Sequence, residues 1–215
     1  MAENFIEAQY DVTKKSKLKK FYEKNKIFIF SFIFVLIFVF GFFSFYLENK
    51  EKKRILLSEN YLQAKIYLEE ADKNKAMNLL KEVIFANDPT YSSLSLFLIM
   101  NQNLITDYKE LSDLFDHLLE NNKFSREVRN LLIYKKALLN SNFVNESEML
   151  KSIKPLLSTE TFWKPHALLL LGDYFVSKGE YIKAIEFYQK IFTINNLHKH
   201  LYDHARFQLA IISNE

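Results

Sequence analysis

The side chains best equipped for chemistry sit close to the end of the chain, where His198, His200, Asp203 and His204 fall within seven residues. His200 and His204 are spaced to share one face of a helix, with Asp203 beside them, and imidazole plus carboxylate is a metal-ligating set. A metal site needs a third or fourth fixed ligand, and no glutamate lies between the histidines as it does in a zinc protease. The reading preferred here is a solvated helix face. Asp113, Asp116 and His117 read the same way. No nucleophile triad, paired-carboxylate pocket or nucleophile elbow can be assembled, so neither catalytic residues, nor a bound metal, nor a cofactor is expected. The chain has no cysteine, which removes thiol catalysis, thiolate metal sites and lipid attachment at a thiol. Its only glycines are Gly41, Gly172 and Gly179, too few for a phosphate-cradling loop.

What must position the remaining surface begins with Ile27 to Leu47, 21 residues without a charge, nine of them phenylalanine. At ~1.5 Å per residue such a helix spans about 30 Å, the thickness of a bilayer's hydrocarbon core. Only Ser31, Ser44 and Tyr46 interrupt its apolar side chains, whereas the core helix of a soluble protein keeps a polar stripe. A cleaved signal peptide has a shorter apolar region of about 7–15 residues and small residues after it; here Phe42, Phe43, Phe45 and Tyr46 stand in that place. The segment is expected to remain as a transmembrane helix. With Gly41 its sole glycine, it offers no small-xxx-small face for close helix dimerisation.

Charge gives the orientation. Seven lysines precede the span and fewer basic residues follow it closely, which favours a cytoplasmic N-terminus and an exported C-terminal part. Residues 1–26 carry the whole net charge of +3, and residues 48–215 are neutral. The basic balance therefore speaks for topology or anionic headgroups and against nucleic acid. The domains expected are a basic cytosolic tail over 1–26, the transmembrane helix over 27–47 and an exported helical domain over 48–215. The sequence is silent on oligomeric state.

From Ile55 the pattern is amphipathic helices joined by two to five polar residues, predicted at 55–71, 74–87, 90–103, 107–121, 126–140, 146–157, 165–177, 181–194 and 199–212. Glu48 and Lys52 are spaced for a helical ion pair, so the anchor helix can run on toward the domain. Asp88, Thr106, Ser125 and Asn145 read as N-caps, and Pro89 and Pro165 suit helix starts. Antiparallel hairpins in a row make a solenoid, so the fold class is all-α: one N-terminal transmembrane helix, then an α-solenoid.

Between Pro165 and Asn195 the large and small residues fall at fixed offsets: Leu171, Gly172, Phe175, Gly179, Ala184, Tyr188 and Ile191. This spacing resembles the tetratricopeptide repeat. Gly172 and Ala184 let two backbones approach, while Leu171, Phe175 and Tyr188 fill the flanks and Gly179 ends the first helix. Ile191 stands where alanine is usual and Asn196 where proline is usual. Ala64, Tyr67, Ala76, Leu80 and Val83 form a weaker second match, with Pro89 one place late; residues 90–160 keep helical periodicity and lose the signature.

Tetratricopeptide hairpins present a concave face to extended peptides, and here its positions are His166, Leu169, Asp173, Val176 and Ser177. Members that clamp a C-terminal carboxylate use lysine and asparagine there; Leu169, Asp173 and Val176 suit apolar or basic segments instead. The helix at 199–212 is placed to cap the solenoid, which leaves open whether this groove is free or covered by the chain itself.

One anchor, a short basic tail and a last clear repeat introduced by Phe162, Trp163, Lys164 and Pro165 together resemble a bacterial family, the ancillary subunit of the SecYEG translocon. The resemblance implies a non-enzymatic, single-pass inner-membrane protein with a periplasmic domain. Its implied partners are translocon subunits, periplasmic chaperones or exported chains. An anchored adaptor for envelope assembly or cell division would share this topology, as would an enzyme whose site lies in the poorly matching middle.

Overall fold

A computed structural model describes residues 17–158 and 161–213. Among them are nine α-helices and no strand: α1 Lys17–Glu69, α2 Lys73–Phe85, α3 Pro89–Asn101, α4 Tyr108–Asn121, α5 Arg126–Asn140, α6 Glu146–Leu157, α7 Lys164–Ser177, α8 Tyr181–Phe192 and α9 Lys199–Ile212. The chain divides into two compact units, Met1–Ile55 and Leu56–Glu215.

In the first unit, α1 is long and apolar enough to cross a membrane, with a mean hydropathy of 2.8 over its best window and none of that window buried. Its phenylalanines stand exposed around the helix, as at Phe28, Phe34 and Phe40. Glu48 and Lys52 pair at 2.7 Å. The cytosolic tail expected over 1–26 lies largely outside the described residues; its described part, from Lys17, is helical.

The second unit is a run of short antiparallel hairpins, each helix packing mainly on the next. Capping explains where the helices start. The side chains of Asp72, Asp88, Asp107, Ser125 and Asn145 accept hydrogen bonds from the first free backbone N–H groups of α2 to α6. Each such cap is worth about 1 kcal/mol. Asp107, rather than Thr106, caps α4, with Lys109 N donating to Oδ1 at 2.8 Å.

The ends are set by residues in the left-handed region: Ala71, Asn87, Asn103, Gly179 and Asn196, with φ of 62°, 59°, 49°, 73° and 57°. This is why several helices stop short of the predicted boundaries. α1 ends at Glu69 instead of residue 71, α2 at Phe85 instead of 87, α3 at Asn101 instead of 103 and α8 at Phe192 instead of 194. At the first of these ends Asp72 N donates to Tyr67 O at 2.8 Å and Ala71 N to Leu68 O at 3.2 Å, the paired bonds of a helix-ending loop. Asn196 adopts a backbone angle that proline's ring forbids, so the departure from the usual repeat at that position has a steric reason.

Two hydrophobic clusters fill the interior. One joins Ala64, Leu80, Ile84, Leu96, Ile99, Phe115, Leu118 and Leu132; the other joins Ala137, Met149, Ile153, Leu156, Leu171, Phe175, Tyr188, Leu201 and Ile212. They meet along α5, whose Leu132 and Leu139 pack in the first and whose Ile133, Tyr134 and Ala137 pack in the second. The same helix holds two buried asparagines, Asn130 and Asn140. Asn130 Nδ2 and Asn140 Oδ1 have no protein partner, although Asn140 Nδ2 donates to Ser112 Oγ at 3.1 Å.

Candidate interaction surface

The α7–α8 hairpin is built on one close approach. Gly172 has no Cβ, and a methyl group there would overlap the ring of Tyr188, which is fully buried. Leu171 and Ala184 are fully buried beside it and Phe175 nearly so. Phe175 also stacks on Phe187, centroids 5.4 Å apart and planes 2° from parallel. Gly179 supplies the positive φ that ends α7. These side chains hold the two helices together.

The polar end of Tyr188 reaches through this packing to Asp173 on α7, donating to Oδ1 at 2.6 Å. Burial pushes the phenol well above its ordinary range, and the bond to Asp173 pushes it further. The same carboxylate oxygen lies 3.4 Å from His204 Nε2 on α9. That nitrogen is enclosed without a well-aligned hydrogen bond, so the contact is one of proximity. Asp173 is thus a junction between α7, α8 and α9.

Around it the five groove positions have different exposures. Leu169 is 9% exposed and belongs to the second core. His166 and Val176 are half-buried and Ser177 is exposed, its hydroxyl donating to Tyr174 O at 2.7 Å. His166 sits in an aromatic cluster with ring centroids 5.0 Å from Phe162, 5.4 Å from Trp163 and 6.0 Å from Tyr134. Burial lowers its proton affinity below the ordinary histidine value. The Phe162 carbonyl partly opposes that, and the nearby His198 and His200 add to it. Sequence spacing did not reveal this cluster, because Tyr134 is contributed from α5, 32 positions away from His166. Phe162 and Trp163 gave the only signal.

The candidate metal-binding and catalytic residues are dispersed. His198 caps α9, accepting from His200 N at 3.4 Å, and Asp203 pairs with Lys199 at 2.6 Å. Asp116 pairs with Lys136. His117 Nε2 meets Asn87 Oδ1 at 2.8 Å and its ring packs edge-on against Phe85. Among the described residues no three histidine, aspartate or glutamate side chains converge as metal ligands would.

The fold and hairpin define a class: an all-helical chain with a repeat of the interaction-module type. Residues 165–196 match the tetratricopeptide repeat family. No curated protein and no solved structure matches the chain. Tetratricopeptide repeats are typically non-catalytic modules that bind proteins, and the matched segment covers the α7–α8 hairpin from its first turn to the left-handed Asn196.

Proposed function

We propose that the chain is a membrane-anchored, non-enzymatic scaffold for protein–protein interaction, accessory to the protein translocon of a bacterial inner membrane. In this reading Ile27–Leu47 crosses the membrane, the N-terminus is cytoplasmic, and the helical domain is periplasmic, where it meets translocon subunits, chaperones or emerging chains. The observation that carries it is a tetratricopeptide hairpin on the same chain as an apolar helix of spanning length. The peptide-facing positions are His166, Asp173, Val176 and Ser177, with Leu169 buried in the core beneath them, and the exposed set favours apolar or basic segments. Because Asp173 is held by Tyr188, its charge is fixed in place, which favours recognition over mobility.

Crosslinking in intact membranes, followed by identification of what is captured, tests the partner. Translocon subunits among the products are expected. Their absence, with envelope-assembly or division proteins captured instead, would replace this reading by that of an adaptor. Protease added to spheroplasts should digest residues 55–215, and protection of that region would reverse the orientation. In the groove, Val176→Glu and Ser177→Arg, at half-buried and exposed positions, should weaken client binding while helical content is unchanged. Undiminished binding would remove the groove from the proposal.

A further inference from the structure

The aromatic cluster at the start of α7 and the carboxylate of Asp173 share one face of that helix. His166 and Asp173 are seven positions apart, close to two full turns, so their side chains point the same way about 10.5 Å apart along the axis. Tyr134, from α5, joins the two. Its ring packs 5.5 Å from Trp163 and 6.0 Å from His166. Burial pushes its phenol above the ordinary range, and the negative charge of Asp173 pushes it further. Phe162 completes the row, 66% exposed, with its ring 5.5 Å from Trp163. A ledge of four rings thus ends at Asp173, whose side chain is 41% exposed.

The carboxylate is held in place but only half used. Tyr188 donates to Oδ1 and His204 Nε2 lies near that same oxygen, so Oδ2 takes part in neither contact. The lysines and arginine of this region are engaged by other groups or turned away. Lys199 pairs with Asp203, Lys183 with Glu146 and Glu180, and Lys136 with Asp116, while Lys178 lies over the Tyr174 ring. Lys164 is nine positions from Asp173, two and a half turns, and so stands on the far side of α7. Lys135 follows Tyr134 by about 100° around α5, and Arg206 follows His204 by about 200° around α9. One turn to either side of Asp173 stand Leu169, Leu170, Val176 and Ser177, all uncharged. The basic group beside Asp173 is the imidazole of His204, with His198 and His200 nearer His166.

A fixed carboxylate with one oxygen open and rings alongside it is complementary to a planar cation. A guanidinium donates to the carboxylate and lays its face on a ring at the same time, which a compact, strongly hydrated ammonium does less well. We propose that Asp173 and Tyr134 form a subsite for an arginine side chain of the bound segment, with the Trp163 and Phe162 rings taking the apolar residue beside it. The proposal rests on the reading of this face as the client groove. It narrows the preference from apolar or basic segments to those that set an arginine next to an apolar side chain.

Three fluorescein-labelled pentapeptides, with leucine on either side of a central arginine, lysine or citrulline, are titrated into the full chain in neutral detergent at about pH 8, above the histidine range. Arginine should bind about tenfold more tightly than citrulline, its uncharged counterpart of similar shape, with lysine between them. The unlabelled arginine peptide should also shift the emission of Trp163, the only tryptophan. Asp173→Asn keeps an oxygen for the Tyr188 hydroxyl and removes the charge, so it should abolish the preference for arginine over citrulline. Circular dichroism checks its fold, and should it not fold, the wild-type comparison of arginine with citrulline decides alone. Phe162→Ser, at an exposed position, should weaken all three peptides alike. No binding of any peptide, equal binding of arginine and citrulline by the wild type, or an arginine preference that survives Asp173→Asn overturns the proposal. If all three bind alike and Val176→Glu weakens them, the groove stands and the arginine subsite falls. If the arginine preference holds while crosslinking captures no translocon subunit, the subsite stands and the translocon reading falls.

Discussion

Ala71 is the least comfortable residue of the solenoid. Its φ of 62° places a Cβ where L-residues are disfavoured, yet Asp72 N and Ala71 N both find carbonyls because of it. Ala71→Gly keeps those bonds and removes the strain, and should raise stability by about 1 kcal/mol. The urea midpoint of the helical signal would show it. His166 makes the complementary case for pH. Its proton affinity is lowered in the folded state, mainly by burial, so the unfolded chain takes up the proton first as pH falls. The folded state is therefore most stable above the ordinary histidine pKa of about 6.5 and loses part of that stability as pH drops through and below it. In His166→Gln this part of the pH dependence should disappear, measured as unfolding midpoints on either side of that value. Ala71 is not conspicuous in the sequence, and His166 reads there as a groove position with no sign of the rings around it. An alanine carries no turn signal, and the ring cluster that buries His166 comes from two helices far apart in sequence.

Helix by helix, the sequence was far more legible. The caps at Asp88, Ser125 and Asn145 and the prolines at 89 and 165 mark starts because an N-terminal N–H needs a local acceptor, and such acceptors are visible in the sequence. Ends were harder to place. Asn87, Asn103 and Asn196 take the left-handed conformation that glycine takes at Gly179, and asparagine also serves in ordinary polar loops, so its role there is ambiguous until the backbone is seen. The α7–α8 hairpin shows what the repeat spacing encodes physically. Gly172→Ala would drive a methyl into the buried ring of Tyr188, and the two helices would have to separate. A loss of about 1–3 kcal/mol is expected, read as a lowered thermal midpoint. Tyr188→Leu in the same chain should recover part of it by vacating the space, an outcome that general weakening of α7 would not produce.

For the molecule as a whole, the repeat match covers a single hairpin. The weaker spacing match in the first hairpin falls on side chains that are fully buried, Ala64, Ala76, Leu80 and Val83, whereas the helices over 90–160 carry helical periodicity without the signature. The two hydrophobic clusters meet inside α5, where Asn130 and Asn140 are buried with polar atoms that no protein group satisfies. Buried amides left partly unpaired cohere less than the aliphatic packing on either side. The solenoid should therefore open as two cooperative blocks. Amide hydrogen exchange would resolve them as two protection classes, α2 to α4 in one and α6 to α8 in the other, with α5 exchanging at the rate of the weaker block. A single uniform class would mean that α5 transmits cooperativity across its asparagines. If the classes separate, α5 is a joint, and a client gripped by the last hairpin can tilt that half of the solenoid without unfolding the half nearer the start of the chain.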